Sequence, residues 1–268
     1  MSPTEAIILA FVATVFLNLG FALQKRGATL AELPDGGRRK LITIRVWRTG
    51  LFVMLAGWAI YFVSARFAPI SVIQSALGAG LAALALFSVF YLKEKVSAVE
   101  WAAFVAMMAG VLLLGLSAGD EAVAQVPSAF SVFGFSAAVA AGAAGLFWLG
   151  RRESAARPGV TLGLSAGLLI GLGSMHIKAL YNFAGPEAAA GGSDLIAFGL
   201  CLPLVIAGNV LGIVVVQYGF RKGRALVVVP VQQVTNKVIV IIGGILTLGE
   251  SLPADPIDAG MRLAGFRP

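Results

Sequence analysis

Charge is scarce in this chain. Only 12% of its 268 residues are charged, 59% are hydrophobic, and the mean hydropathy is +0.91. A soluble domain of ordinary composition carries about twice that charge. No soluble core could hide so many apolar runs, so they demand a bilayer as solvent. There is a single cysteine, Cys201, inside an apolar run. One thiol excludes a disulfide framework and a thiolate metal site within one chain. The 13 acidic residues all fall in loops, tails or span ends, so no carboxylate is expected deep in the membrane. No segment alternates as a barrel strand does. Nothing resembles a nucleotide-binding phosphate loop, which argues against nucleotide-driven pumping. No positive stretch precedes the apolar run 6–23, so it reads as a first span rather than a signal peptide.

What is present is a series of long apolar stretches. A helix needs about 20 apolar residues to cross the hydrocarbon core. Eight stretches qualify: roughly 5–23, 49–66, 69–92, 99–118, 128–150, 159–184, 195–219 and 225–249. The fold class expected is all-α, a polytopic transmembrane helix bundle forming one membrane domain. The net charge of +7 sits in short loops beside these spans, which excludes a nucleic-acid reading. Lys25, Arg26, Arg38, Arg39, Lys40, Arg45 and Arg48 follow span one. Lys93 and Lys95 follow span three, Arg151, Arg152 and Arg157 span five, and Arg221, Lys222 and Arg224 span seven. The opposite side holds only Arg66, with Arg262 and Arg267 in the tail, and carries Asp120, Glu121, Glu187, Asp194, Glu250, Asp255 and Asp258. The positive-inside rule then places the N-terminus outside. The location expected is the cell membrane, a bacterial inner membrane in type.

Features of the first half recur about 151–156 residues later. Ala56-Gly57 answers Ala207-Gly208, and Lys25 answers Lys178. Leu92-Lys93-Glu94-Lys95 answers Leu248-Gly249-Glu250-Ser251. An offset of five spans reverses orientation, so two inverted repeats are expected, about 5–118 and 159–268, joined by the span 128–150. Inverted repeats suit alternating access.

Phe67-Ala68-Pro69-Ile70, then Tyr91-Leu92-Lys93-Glu94-Lys95, then a Gly110-containing span over 101–116 follow in an order that resembles the drug/metabolite transporter superfamily. The direct step from the first helix to the span at 47–66 resembles its NIPA-type, magnesium-transporter-like branch. So does the exit Leu23-Gln24-Lys25-Arg26-Gly27, and so does the run from Ile177-Lys178 through Pro230 to Leu248-Gly249-Glu250. The resemblance implies a ninth span after residue 250. Asp258, Arg262 and Arg267 interrupt the stretch 251–268, so the ninth span is expected to be absent or cut short.

Polar residues within the spans are the candidate site. In span eight, Gln232, Gln233, Asn236 and Lys237 make a broad polar surface that must face protein or a water-filled cavity. In span six, Ser174, Lys178 and Asn182 form one stripe. Asn18, Gln74, Asn209 and Gln217 add single polar points. His176 points away from Lys178; its alternatives are a structural role and proton coupling. Together these residues suggest a central solute cavity, and the bland alternative is hydrogen bonding that only holds the bundle together. Gly167-x-x-x-Gly171 and Gly208-x-x-x-Gly212 permit close helix approach.

Buried lysines without a buried carboxylate favour secondary transport of a small polar or anionic solute. The resemblance implies magnesium or another divalent cation instead, although magnesium prefers oxygen ligands including a carboxylate. Two other classes are weaker. Ser174 and Lys178 have the composition of a hydrolase pair but lack an oxyanion hole. A non-transporting scaffold leaves the polar face of span eight unexplained. No enzyme activity, no cofactor and no resident metal are expected. The partners expected are the lipid bilayer and the small-molecule solute, and a homodimer is left open.

Overall fold

The computed structural model describes residues 3–33, 37, 39–65, 82–94, 97–98, scattered positions in 101–109, 128–152, 156–184 and 195–248. The described residues form helices joined by turns, with no strand among them. The helices are α1 (Pro3–Leu30), α2 (Arg45–Ala65), α3 (Ala82–Tyr91), α4 (Ala129–Arg151), α5 (Pro158–Ala184), α6 (Leu195–Lys222) and α7 (Ala225–Thr247). Five segments are long and apolar enough to cross a membrane: Ile8–Leu30, Ala129–Arg151, Pro158–Ile177, Ile196–Lys222 and Ala225–Thr247. This is an integral membrane protein by the length and composition of its helices. Large apolar side chains such as Phe130, Ile196 and Leu246 stand 89%, 77% and 66% exposed, as a lipid-facing surface requires.

The expected span 69–92 is described only from residue 82, and its last turn, Phe87–Tyr91, is a π-helix. Most of the expected span 99–118 lies outside the described residues, as does the whole of 251–268 with its ninth-span question. The first helix differs from the sequence reading. It runs seven residues past residue 23, so Leu23–Gly27 is helix rather than an exit. The reason is that this turn has protein to pack on. Gln24 is fully buried and its amide donates to the Met54 sulfur at 3.3 Å. A Cβ on Gly27 would stand 2.8 Å from the Trp47 backbone.

Contacts divide the chain into two compact units. The first holds residues 1–119, 220–230 and 255–268, and the second holds 120–219 and 231–254. In the first unit α1 and α2 lie backbone to backbone along Ala13, Leu17, Gly20, Gln24 and Gly27. A Cβ on Gly57 would meet the Leu17 nitrogen at 2.9 Å, and one on Gly50 would meet the Gln24 nitrogen at 2.8 Å. In the second unit α5 is the shared helix. Gly167 and Gly171 lie against α7 at Thr235 and Ile239, and Gly173 lies against α6 at Asn209. Both glycine pairs expected to permit close approach do so. The apolar core here comprises Val132, Leu172, Met175, Ala179, Phe183, Ala197, Cys201 and Leu248. Cys201 is part of that packing.

Candidate functional site

One face of α1 carries most of the polar chemistry in the first unit. Ala13, Leu17, Gly20, Gln24 and Gly27 form the face against α2. About 100° round the helix, Thr14, Asn18, Phe21 and Lys25 form a second stripe at spacings of four, three and four. Its two ends behave differently.

At the basic-loop end, Lys25 reaches the turn between α6 and α7. Its ammonium donates to the carbonyl oxygens of Phe220 and of Gly223, the latter at 2.7 Å. The last four carbonyls of a helix have no intrahelical partner, and a cation there also suits the helix dipole. Glu94, just past α3, does the reverse job at the start of α7. Its carboxylate accepts from the backbone N–H of Ala225 at 2.9 Å and of Leu226 at 3.4 Å. Phe21 meets Phe220 edge to face at 6.3 Å, and the Arg26 guanidinium lies 4.7 Å above the Tyr91 ring. The turn is thus pinned by a cation on one side and an anion on the other.

Further along the stripe lie two buried oxygens with no partner among the described residues. Thr14 is 0% and Asn18 2% exposed, and Thr14 Oγ1 and Asn18 Oδ1 make no hydrogen bond. The Asn18 amide nitrogen donates to the Thr14 carbonyl at 2.9 Å. Flipping the amide would set two oxygens against each other, so Oδ1 is the atom left open. Ser88, on the π-helical turn that packs against α1, has a third buried oxygen without a partner among the described residues. A buried polar group left unmade costs about 1–3 kcal/mol. π-Helical turns also concentrate at functional sites.

In the second unit the expected residues separate into groups. The Gln232 and Asn236 carbonyls lie at the seam with α5, 2.7 Å and 3.2 Å from where Cβ atoms on Gly167 and Gly171 would stand. Gln232 is buried there, and Asn236 Oδ1 is without a partner. Gln233 and Lys237, one position round, are half-buried, and Lys237 is not free of interactions. Ser174 Oγ donates to its own helix at Ile170 O, 3.0 Å away, so it is no free nucleophile. His176 is buried, with Ser136 Oγ at 3.2 Å and Leu172 O at 2.8 Å, which gives both ring nitrogens partners and favours its structural role. The Asn209 amide donates to Val205 O at 2.9 Å, and Gln217 is buried and partnered. The side chains of Lys178 and Asn182, and all of Gln74, lie outside the described residues. Among the described residues no three His, Cys, Asp or Glu side chains cluster as metal ligands would.

Sequence reasoning missed Thr14, Ser88 and the pairing of Lys25 with Glu94 across one turn. Thr14 was within reach, because it stands four residues before Asn18 on the same face. Lys25 and Glu94 were seen only as a span end and a turn motif. Their shared target is distant in sequence, and no local pattern points to it.

No family profile matches the chain, and no solved structure matches it. A protein of Arabidopsis thaliana described as "Probable magnesium transporter NIPA9" is 29% identical to it over 282 residues. The alignment covers 98% of this chain and 78% of that protein. The NIPA-type resemblance drawn from the order of spans is therefore carried by direct similarity along nearly the whole chain.

Proposed function

We propose that this chain is a membrane transporter whose cargo is a divalent cation, magnesium first. The observation that carries the reading is the similarity to the magnesium-transporter-like protein along 98% of the chain. The site chemistry is compatible with it. Among the described residues the buried groups left open are oxygens, at Thr14, Asn18 and Ser88 in the first unit and, separately, at Asn236 in the second, and magnesium is a hard cation that takes oxygen ligands. The anionic-solute reading rested on two lysines, and Lys237 is the one that favours it still. It is half-buried in the middle of α7.

The two readings disagree in sign about Lys237. A mid-membrane ammonium attracts an anion and repels a cation. For the purified chain in liposomes with a magnesium-sensitive dye inside, we expect magnesium influx, kept or raised by Lys237→Gln. Absent magnesium flux, with anion uptake that Lys237→Gln abolishes, would reverse the assignment.

The orientation proposed is N-terminus outside, with the basic loops inside. In a Cys201→Ser background, a cysteine introduced at Ala124 should react with an impermeant reagent added outside to intact cells. One at Ala155 should stay unmodified. Both positions lie outside the described residues. The opposite labelling pattern would invert the topology.

A further inference from the structure

We infer that the basic-loop end of α4 binds the headgroup phosphate of an anionic phospholipid, with Arg151 and Arg152 as the groups that hold it. The site needs only that the chain spans a membrane, and it is independent of the cargo.

The last turn of α4 carries two successive pairs at the i, i+4 spacing, Phe147 with Arg151 and Trp148 with Arg152. Both pairs are made. The Arg152 guanidinium lies 3.5 Å from the centre of the Trp148 ring, and that of Arg151 lies 5.8 Å from the centre of the Phe147 ring. Phe147 is itself held edge to face against Tyr218 of α6, at 5.2 Å. The neighbouring helix α5 braces the same turn. A Cβ on Gly150 would stand 2.8 Å from the Leu162 side chain, and Ser165 Oγ donates to the Ala143 carbonyl at 2.7 Å. Arg157, just before α5, adds a third cation at this tip. With Glu153, the stretch 151–157 holds three basic residues and one acidic, a net charge of +2.

A basic residue at the end of a span commonly stretches its head into water. These two fold back onto rings instead. Trp148 is 55% exposed and both arginines are exposed, so the pairs lie on the protein surface. Tryptophan settles at the headgroup level of a bilayer, and a guanidinium stacked on it is held at that level. Stacking engages the flat face of the guanidinium. The N–H groups lie in its plane, in the fork that matches two phosphate oxygens. A stacked side chain is already ordered, so binding costs it less entropy. Net charge selects the occupant. A zwitterionic headgroup brings an ammonium along with its phosphate, whereas phosphatidylglycerol brings the phosphate alone. Behind Trp148 on the same face come Gly145, Ala141 and Ala138, at spacings of three, four and three, all exposed. A Cβ on Gly145 would meet nothing within 4 Å. An acyl chain can lie close along so slim a surface, so a whole phospholipid fits this face better than a free phosphate does.

Native mass spectrometry of the full chain tests this. Protein in detergent is given equal amounts of phosphatidylglycerol and phosphatidylcholine, and the lipid retained is counted. The wild type is compared with Arg152→Gln, Arg152→Lys, Trp148→Leu and Arg48→Gln. The last removes the same charge from a different basic loop. All of these side chains are exposed, so the substitutions leave the packed interior alone. We expect the wild type to retain phosphatidylglycerol over phosphatidylcholine. Arg152→Gln and Trp148→Leu should each cut that retention by about fivefold, as the loss of one exposed charge-assisted contact predicts, and Arg48→Gln should leave it within about twofold. Arg152→Lys should also weaken it, because lysine keeps the charge and loses the planar fork. Equal losses in Arg48→Gln and Arg152→Gln would overturn the site in favour of general charge attraction. Unchanged retention in Arg152→Gln or Trp148→Leu would overturn it outright. An excess of glycerol phosphate should leave the lipid bound, and displacement by it would overturn the choice of a phospholipid. A lipid-free dimer that Gly145→Leu separates would assign the face to a second copy of the chain and overturn the proposal.

Discussion

Gly208→Leu should abolish recovery of folded, monodisperse protein, and Gly208→Ala should lower its melting temperature sharply. A Cβ at this position would stand 2.7 Å from the Leu169 carbonyl oxygen, 2.9 Å from the Gly173 nitrogen and 3.0 Å from the Gly173 Cα. All three are backbone atoms of α5, so no side chain can swing away. The helices must separate, and the separation spreads. α5 also carries Gly173 against Asn209, and Gly167 and Gly171 against α7. Overpacking a tight interior costs about 1–3 kcal/mol even where side chains can adjust. A leucine aimed at backbone exceeds that range. Gly134→Leu is the control, because a Cβ there meets nothing within 4 Å. Size-exclusion chromatography and thermal melting in detergent give the comparison. Melting of Gly208→Leu at the wild-type temperature would show that α5 and α6 are not in close backbone contact.

That close approach was readable in the sequence, and the reason is physical. Small residues four apart on an apolar helix leave a groove, and in lipid a groove is filled by another helix. The same logic made the spans readable. Long apolar runs have one viable conformation in a bilayer, so helix existence follows from composition. Helix ends are different. Leu23–Gly27 carries two charges and reads as a loop, yet it continues α1 because Gln24, Lys25 and Gly27 each find a protein partner. Those partners lie at Met54, Gly223 and Trp47, and no local propensity encodes them.

The candidate site was partly readable for a related reason. A polar side chain in a span announces itself, so Asn18, Asn209, Gln232 and Asn236 were all visible. What it bonds to is not visible. Ser174 and Asn209 return to their own helices, as hydroxyls and amides in apolar helices commonly do. Asn18 spends only its donor that way, which leaves its acceptor without a partner among the described residues. The distinction lies in individual atoms, and the sequence supplies only residues.

Lys25→Met and Glu94→Ala should each destabilise the protein by about 1–3 kcal/mol, the cost of leaving buried backbone groups unpaired. The double variant should lose less than the sum. Lys25 holds the carbonyls of Phe220 and Gly223 at the end of α6, and Glu94 holds the N–H groups of Ala225 and Leu226 at the start of α7. Phe220 and Ala225 are fully buried, so water does not readily replace either cap. Once one cap is gone the turn is already loosened, and the second has less ordered structure to hold. Lys25→Met keeps the alkyl stem, so its effect reports the ammonium rather than lost packing. Glu94→Gln keeps one acceptor oxygen and should cost less than Glu94→Ala. Thermal melting of the four proteins in one detergent, with the wild type as reference, measures the cycle. Strict additivity would mean that the two caps act on independent structures. An unchanged melting temperature for Glu94→Ala would mean that its carboxylate does not cap α7.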